Sequence, residues 1–205
     1  MQHLSEQEKR ELCEQIRGIE ASCNAELVTV ITQQSDEYYY IPVLWAALTA
    51  LLLPGLISLL DLPLNVGNTY LLQVSVFAVF AAGLSWPPLK FRVIPKNVQY
   101  RRASLHAHEL FFIEGLHITE NRSGVMIFVS LAERYVEIIA DHGIAEKIDQ
   151  SVWEDIVDDF IEDVSRGNTA NGYQRAVERC GILLKEHFPG GCNAANELPD
   201  HLIEL

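Results

Sequence analysis

Apolar positions along this chain form one long block and several short periodic runs, with polar stretches between them. From Tyr38 to Leu89 a single residue, Asp61, is charged, while the flanks carry every other charge. A water-soluble core does not gather its apolar residues into one block, so the pattern is that of segments that meet lipid. Ile41 to Leu60, IPVLWAALTALLLPGLISLL, has about the twenty residues a helix needs to cross the hydrocarbon. Pro54-Gly55 predicts a kink within it, which a lipid-facing helix tolerates. DLPLNVGN (61–68) is a polar turn, and Tyr70 to Trp86 forms the return span. Tyr38 to Tyr40 and Trp45 at one end, with Trp86 at the other, suit the headgroup level. The competing reading, a helical hairpin buried in a soluble fold, sits poorly with two adjacent spans of this length and charge poverty.

The flanks set an expected orientation. Lys90, Arg92, Lys96, Arg101 and Arg102 follow the second span closely, and the turn between the spans holds no Lys or Arg. Positive residues stay on the cytoplasmic side, so both ends of the hairpin are expected there, with the turn outside. The location expected is the inner (plasma) membrane, crossed twice, with termini and soluble domain cytoplasmic. The basic cluster suits anionic headgroups and needs no nucleic acid to explain it. The chain before the first span is acidic and has no apolar run, so no signal peptide is expected. Cys13, Cys23, Cys180 and Cys192 show no CxxC spacing, and in the cytoplasm they are expected to be reduced thiols. Asn121-Arg122-Ser123 matches a glycosylation pattern that would be inert on that side.

The flanks show regular periodicities. Residues 5–20 form an amphipathic helix with Leu12, Ile16 and Ile19 on one face, opened by a Ser5–Glu8 capping box. ELVTVIT (26–32) reads as a strand, and 101–119 as a helix ending near Gly115. GVMIFVS (124–130) and RYVEIIA (134–140) are separated by LAE alone, so they must turn back on each other as an antiparallel hairpin. Both are nearly apolar throughout, which predicts cover on both faces. Helices at 152–164 and 169–187 supply that cover, the first ended by Gly167. The expected fold class is α/β, a three-layer α/β/α sandwich with a small mixed sheet, interrupted by a two-helix transmembrane hairpin. Its divisions are 1–37, first helix and strand; 38–89, hairpin; 90–190, remainder of the domain; and 191–205, a tail without pattern.

Few residues point to chemistry. The chain has no GxGxxG, P-loop, GxSxG or kinase set. His106 and His108 point in different directions on a helix, and Glu109 is followed by Leu110-Phe111-Phe112 rather than completing HExxH, so no zinc site is expected. Asp155, Asp158, Asp159 and Glu162 stand at i, i+3, i+4 and i+7 and line one helical strip. Hard cations such as calcium or magnesium take such oxygen ligands, but one helix cannot enclose an ion, and a solvated face is the plainer reading of the strip. Asp141-His142-Gly143 closes the second hairpin strand. Loops at strand ends are where ligands sit in α/β sheets. Asp141 and His142 are therefore the candidate catalytic pair, with His142 as acid or base, and Asp141, Asp155 and Asp159 the candidate metal ligands. The plainer alternative is a strand end closed by turn-forming Asp and Gly, Gly143 supplying a positive φ.

The succession from Asn121 to Arg134, NRSGVMIFVSLAER, then Val136-Glu137-Ile138-Ile139-Ala140-Asp141, Gly143-Ile144 and Trp153 resembles the TPM domain family. The pattern is a Thr-Gly or Ser-Gly strand, a Ser-Leu-x-Glu-Arg turn, a second strand ending in Asp-x-Gly, and a Trp-led helix. Ser123 stands where Thr is commoner. The likeness extends over 1–37 and 98–190, and is similar more narrowly to a bacterial branch in which a transmembrane hairpin interrupts the domain. It implies an α/β/α fold, acid phosphatase action in one lumenal member and calcium binding in some bacterial ones, without a motif that carries either activity over residue by residue.

Three classes of function follow. The leading one is a membrane-anchored accessory module acting with other membrane proteins, its partners the lipid bilayer and those proteins. The second is a calcium- or magnesium-dependent phosphomonoesterase of the TPM type using Asp141. The third is a non-catalytic structural or oligomerising subunit.

Overall fold

The computed structural model describes residues 4–119, 121–190 and 202–205. The chain divides into two units, Met1–Ser35 with Tyr100–Leu205, and Asp36–Gln99.

The first unit is built on a four-stranded mixed sheet in the order β3-β2-β1-β4, from β1 (Glu26–Thr32), β2 (Gly124–Ser130), β3 (Tyr135–Ala140) and β4 (Leu202–Glu204). β1 runs parallel to β2 with Glu26 opposite Gly124, and parallel to β4 with Val30 opposite Ile203. β2 and β3 form the expected antiparallel hairpin, Phe128 opposite Glu137. Side chains alternate between two cores. Leu27, Ile31, Val125, Ile127, Val129, Val136 and Ile138 meet α1 (Glu6–Glu20), α7 (Gln150–Ser165) and α8 (Thr169–His187) through Leu12, Ile16, Trp153, Phe160 and Tyr173. Val28, Val30, Met126 and Phe128 meet Ala103, Ala107, Leu110 and Phe111 of α5 (Lys96–Ile113) and Leu116 of a 3₁₀ turn. Helices thus cover both faces, and the unit is an α/β/α sandwich.

Local signals explain the boundaries. Ser5 and Glu8 make the capping box, with Ser5 N–H donating to Glu8 Oε2 at 2.7 Å. Asn65 Oδ1 accepts from Asn68 N–H at 2.8 Å and opens α3 (Val66–Leu84).

Several expectations are corrected. β2 is buried along its whole length, but β3 is only partly so, because it lies at an edge of the sheet. Arg134 belongs to the turn rather than the strand, at φ 55°. Gly143 does not have a positive φ; it lies in α6 (His142–Ala145). A Cβ there would meet Asn121 O at 2.4 Å and Arg122 O at 2.8 Å, so a close backbone approach is what calls for glycine. α5 starts earlier than expected and carries Lys96, Arg101 and Arg102 of the basic cluster, while a short helix α4 (Pro87–Val93) carries Lys90 and Arg92. The tail expected to lack pattern supplies β4 at its end; its residues 191–201, with Cys192, lie outside the described residues.

In the second unit, α2 (Tyr40–Leu59) and α3 pack together, α2 continuing through Pro54. Both are long and apolar enough to cross a membrane, with mean hydropathies of 2.0 and 1.4. Tyr38, Ile41 and Ile94 form a small cluster with Phe91, whose ring meets Tyr38 edge-on at 5.9 Å. Gln99 Nε2 donates to Phe91 O and Ile94 O, both at 2.9 Å, holding the end of α4.

Candidate functional site

Polar side chains gather at both ends of the sheet. At one end the 3₁₀ turn leads through Asn121 and Arg122 into β2, and β3 stops beside it. Asp141 ends β3 and caps α6, its Oδ1 accepting from His142 N–H at 2.7 Å. The residue is buried, and Arg122 Nε lies 3.0 Å from Oδ2. That contact is an ion pair without an aligned hydrogen bond, since no donor points along Oδ2 among the described residues. Arg122 is in the left-handed region, φ 52°. Its carbonyl accepts from Gly143 N–H at 3.1 Å. His142 points to solvent and pairs with Glu146 at 3.0 Å. This end carries an exposed guanidinium and an exposed imidazole, with the buried carboxylate paired to the guanidinium.

Of the other two predicted ligands, Asp159 alone has a side-chain ion pair among the described residues. Asp159 pairs with Arg179, and Arg179 Nη1 also reaches Asp155 O at 3.5 Å. Asp163, buried on the same helix, has Arg175 Nη1 at 3.0 Å from Oδ2. Among the described residues no three His, Cys, Asp or Glu side chains converge as a cation site. Asp141, Asp155 and Asp159 are not brought together in such a group, and no chemistry is routed through an ion.

At the opposite end, about 20 Å along the strands, lies a cluster that periodicity alone passes over. β1 and β2 both finish here, at the carboxyl end of parallel strands where α/β ligands are usually found. Glu133 is fully buried in the β2–β3 turn. It accepts from Ser35 N–H at 3.0 Å and from the Ser130 hydroxyl, and Ser35 Oγ donates to Ser130 Oγ at 3.0 Å. Leu131 N–H and Ala132 N–H donate to Thr32 O and Gln33 O, each at 3.0 Å. A buried carboxylate supplied with donors in this way fastens the turn to the end of β1. Ser130 and Glu133 belong to the Ser-Leu-x-Glu-Arg signature, which was the one sequence signal that marked them.

The layering and the mixed sheet define the class, an α/β/α domain. Residues 91–182 match the model of the TPM domain family, and this part of the chain is a TPM domain. α1 and β1 lie outside the matched residues, yet β1 is central to the sheet. The structure is similar to the NMR structure of BA42 protein from the psychrophilic bacterium Bizionia argentinensis. That likeness covers 100% of this chain and 97% of that one, with a TM-score of 0.62 and 15% identity. At that identity it carries the fold alone. No curated protein matches the chain.

Proposed function

We propose that the protein is a bilayer-anchored accessory module, held by α2 and α3, whose TPM domain acts on the cytoplasmic side with other membrane proteins. One observation carries the reading: none of the residues in the most apolar stretch of α3 is buried within the protein, and only 28% of those in α2 are. Soluble monomers rarely expose apolar patches beyond a few hundred Å², and here a whole helix is uncovered. Lipid is the solvent that suits it. The basic residues after the second span and their absence from the turn support a cytoplasmic domain.

Impermeant maleimide on intact cells tests this. Leu64→Cys in the turn should label from outside, and Glu109→Cys only after permeabilisation, each compared with the unsubstituted chain. The reverse pattern overturns the orientation, and equal access for both overturns the spanning hairpin. Cross-linking in native membranes then identifies the proteins it acts with.

A second reading, phosphomonoester hydrolysis at Asp141 and His142, draws on the exposed Arg122 guanidinium, which has the charge a phosphate requires. Loss of cleavage in both Arg122→Ala and His142→Ala would support it, and no cleavage by the wild type dismisses it.

A further inference from the structure

β3 is one of the two edge strands of the sheet, and the hydrogen-bond phase of its ladder shows which groups it presents. Asp141 N–H donates to Gly124 O at 2.9 Å, and the antiparallel register continues with Ala140 opposite Val125. In such a ladder alternate residues face the partner, so Tyr135, Glu137 and Ile139 bond to β2. Val136, Ile138 and Ala140 turn their N–H and C=O groups outward. No hydrogen bond within the described residues reaches those outward groups. An edge left uncovered by the described residues is a template for another strand.

Beside the edge lies a cavity of about 160 Å³ between β3 and α7. Val136 and Ile138 line it from the strand, and Trp153, Glu154, Val157 and Asp158 from the helix. Trp153 and Val157 stand four apart and give an apolar wall; Glu154 and Asp158, also four apart, give an adjoining acidic one. Both acids are exposed and neither has a cationic partner among the described residues. Trp153 is 1% exposed, and its indole N–H has no acceptor among those residues.

We propose that this edge and groove bind an extended, cationic segment of a partner protein as an added strand. Main-chain bonds to Val136, Ile138 and Ala140 supply the pairing. Alternate apolar side chains enter the groove, and Lys or Arg side chains meet Glu154 and Asp158. A second copy of this chain is a poor occupant, since its net charge is −13 and its own groove would oppose acid with acid. The inference rests on the accessory-module reading for its biological purpose and on the geometry of β3 and α7 for its site.

The test uses the full chain in phospholipid nanodiscs and a library of peptides about seven residues long. These alternate Lys or Arg with Val, Ile, Leu or Phe. Binding is followed by anisotropy and by hydrogen exchange at Val136, Ile138 and Ala140. The expected result is slowed exchange at those three amides. Affinity should also fall about tenfold or more when Glu154→Lys and Asp158→Lys are combined, or when the peptide is N-methylated at alternate residues. Three results would overturn it: no member binding up to about 1 mM, binding indifferent to methylation and charge reversal, or edge protection that depends on protein concentration without peptide. If this fails while the maleimide pattern holds and cross-linking still finds partners, the groove falls and the accessory reading stands.

Discussion

Arg122 and Asp141 face each other at 3.0 Å across the point where the chain enters β2 and leaves β3. The pair is asymmetric: the Asp141 side chain is 6% exposed and that of Arg122 56%. The carboxylate also caps α6. Asp141→Asn keeps a competent cap and loses the charge pairing, whereas Asp141→Ala loses both. The expected costs are about 1 and about 2–3 kcal/mol, read as the difference in thermal or urea midpoint. Equal costs would mean that the cap contributes nothing.

Two glycines give opposite expectations for one substitution. A Cβ on Gly143 meets main-chain oxygens at 2.4 and 2.8 Å, whereas one on Gly18, an exposed position in α1, meets nothing within 4 Å. Gly143→Ala should destabilise by about 1–3 kcal/mol, because backbone must move. Gly18→Ala should stabilise by about 0.5–1 kcal/mol through helix propensity. Paired melting curves check both signs.

Tyr173 packs edge-on against Phe160 at 4.8 Å, and its buried hydroxyl has no hydrogen-bond partner among the described residues. Tyr173→Phe removes an orphan polar group and should be neutral or stabilising by about 1 kcal/mol. Burial, reinforced by Glu204, pushes the hydroxyl well above the ordinary tyrosine range. An acid whose pKa is raised on folding contributes its full stability below the unfolded value, about 10, and loses it as pH rises beyond. Wild type should therefore weaken more than Tyr173→Phe between about pH 8 and about pH 11, as thermal midpoints would record.

Burial pushes the Cys180 thiol up to about 12, and the Cys23 thiol is raised for the same reason. Only thiolates react readily, so both should resist alkylation at about pH 8 in the folded protein and react on unfolding. Mass spectrometry of iodoacetamide-treated protein, native and denatured, reads this directly. Fast native labelling of Cys180 would contradict its placement in the core.

Sequence alone determined the features that depend on near neighbours. The charge-poor block gave two apolar helices, the Ser5–Glu8 spacing gave the cap of α1, and the short LAE connection left β2 and β3 no course but an antiparallel hairpin. Each follows from contacts a few residues apart, where periodicity and steric limits act. Tertiary structure alone decided what depends on long-range pairing. β4 is three residues long, too short to show a period, and exists because β1 offers it an edge. The antiparallel course of β3 puts Asp141 at the end opposite Ser130 and Glu133, so two polar clusters replace the single rim that reading along the chain implies. Arg175 and Arg179 reach the acidic face of α7 only because α8 folds back against it. The place of β3 at an edge of the sheet follows from strand order, a global property that no window of sequence contains.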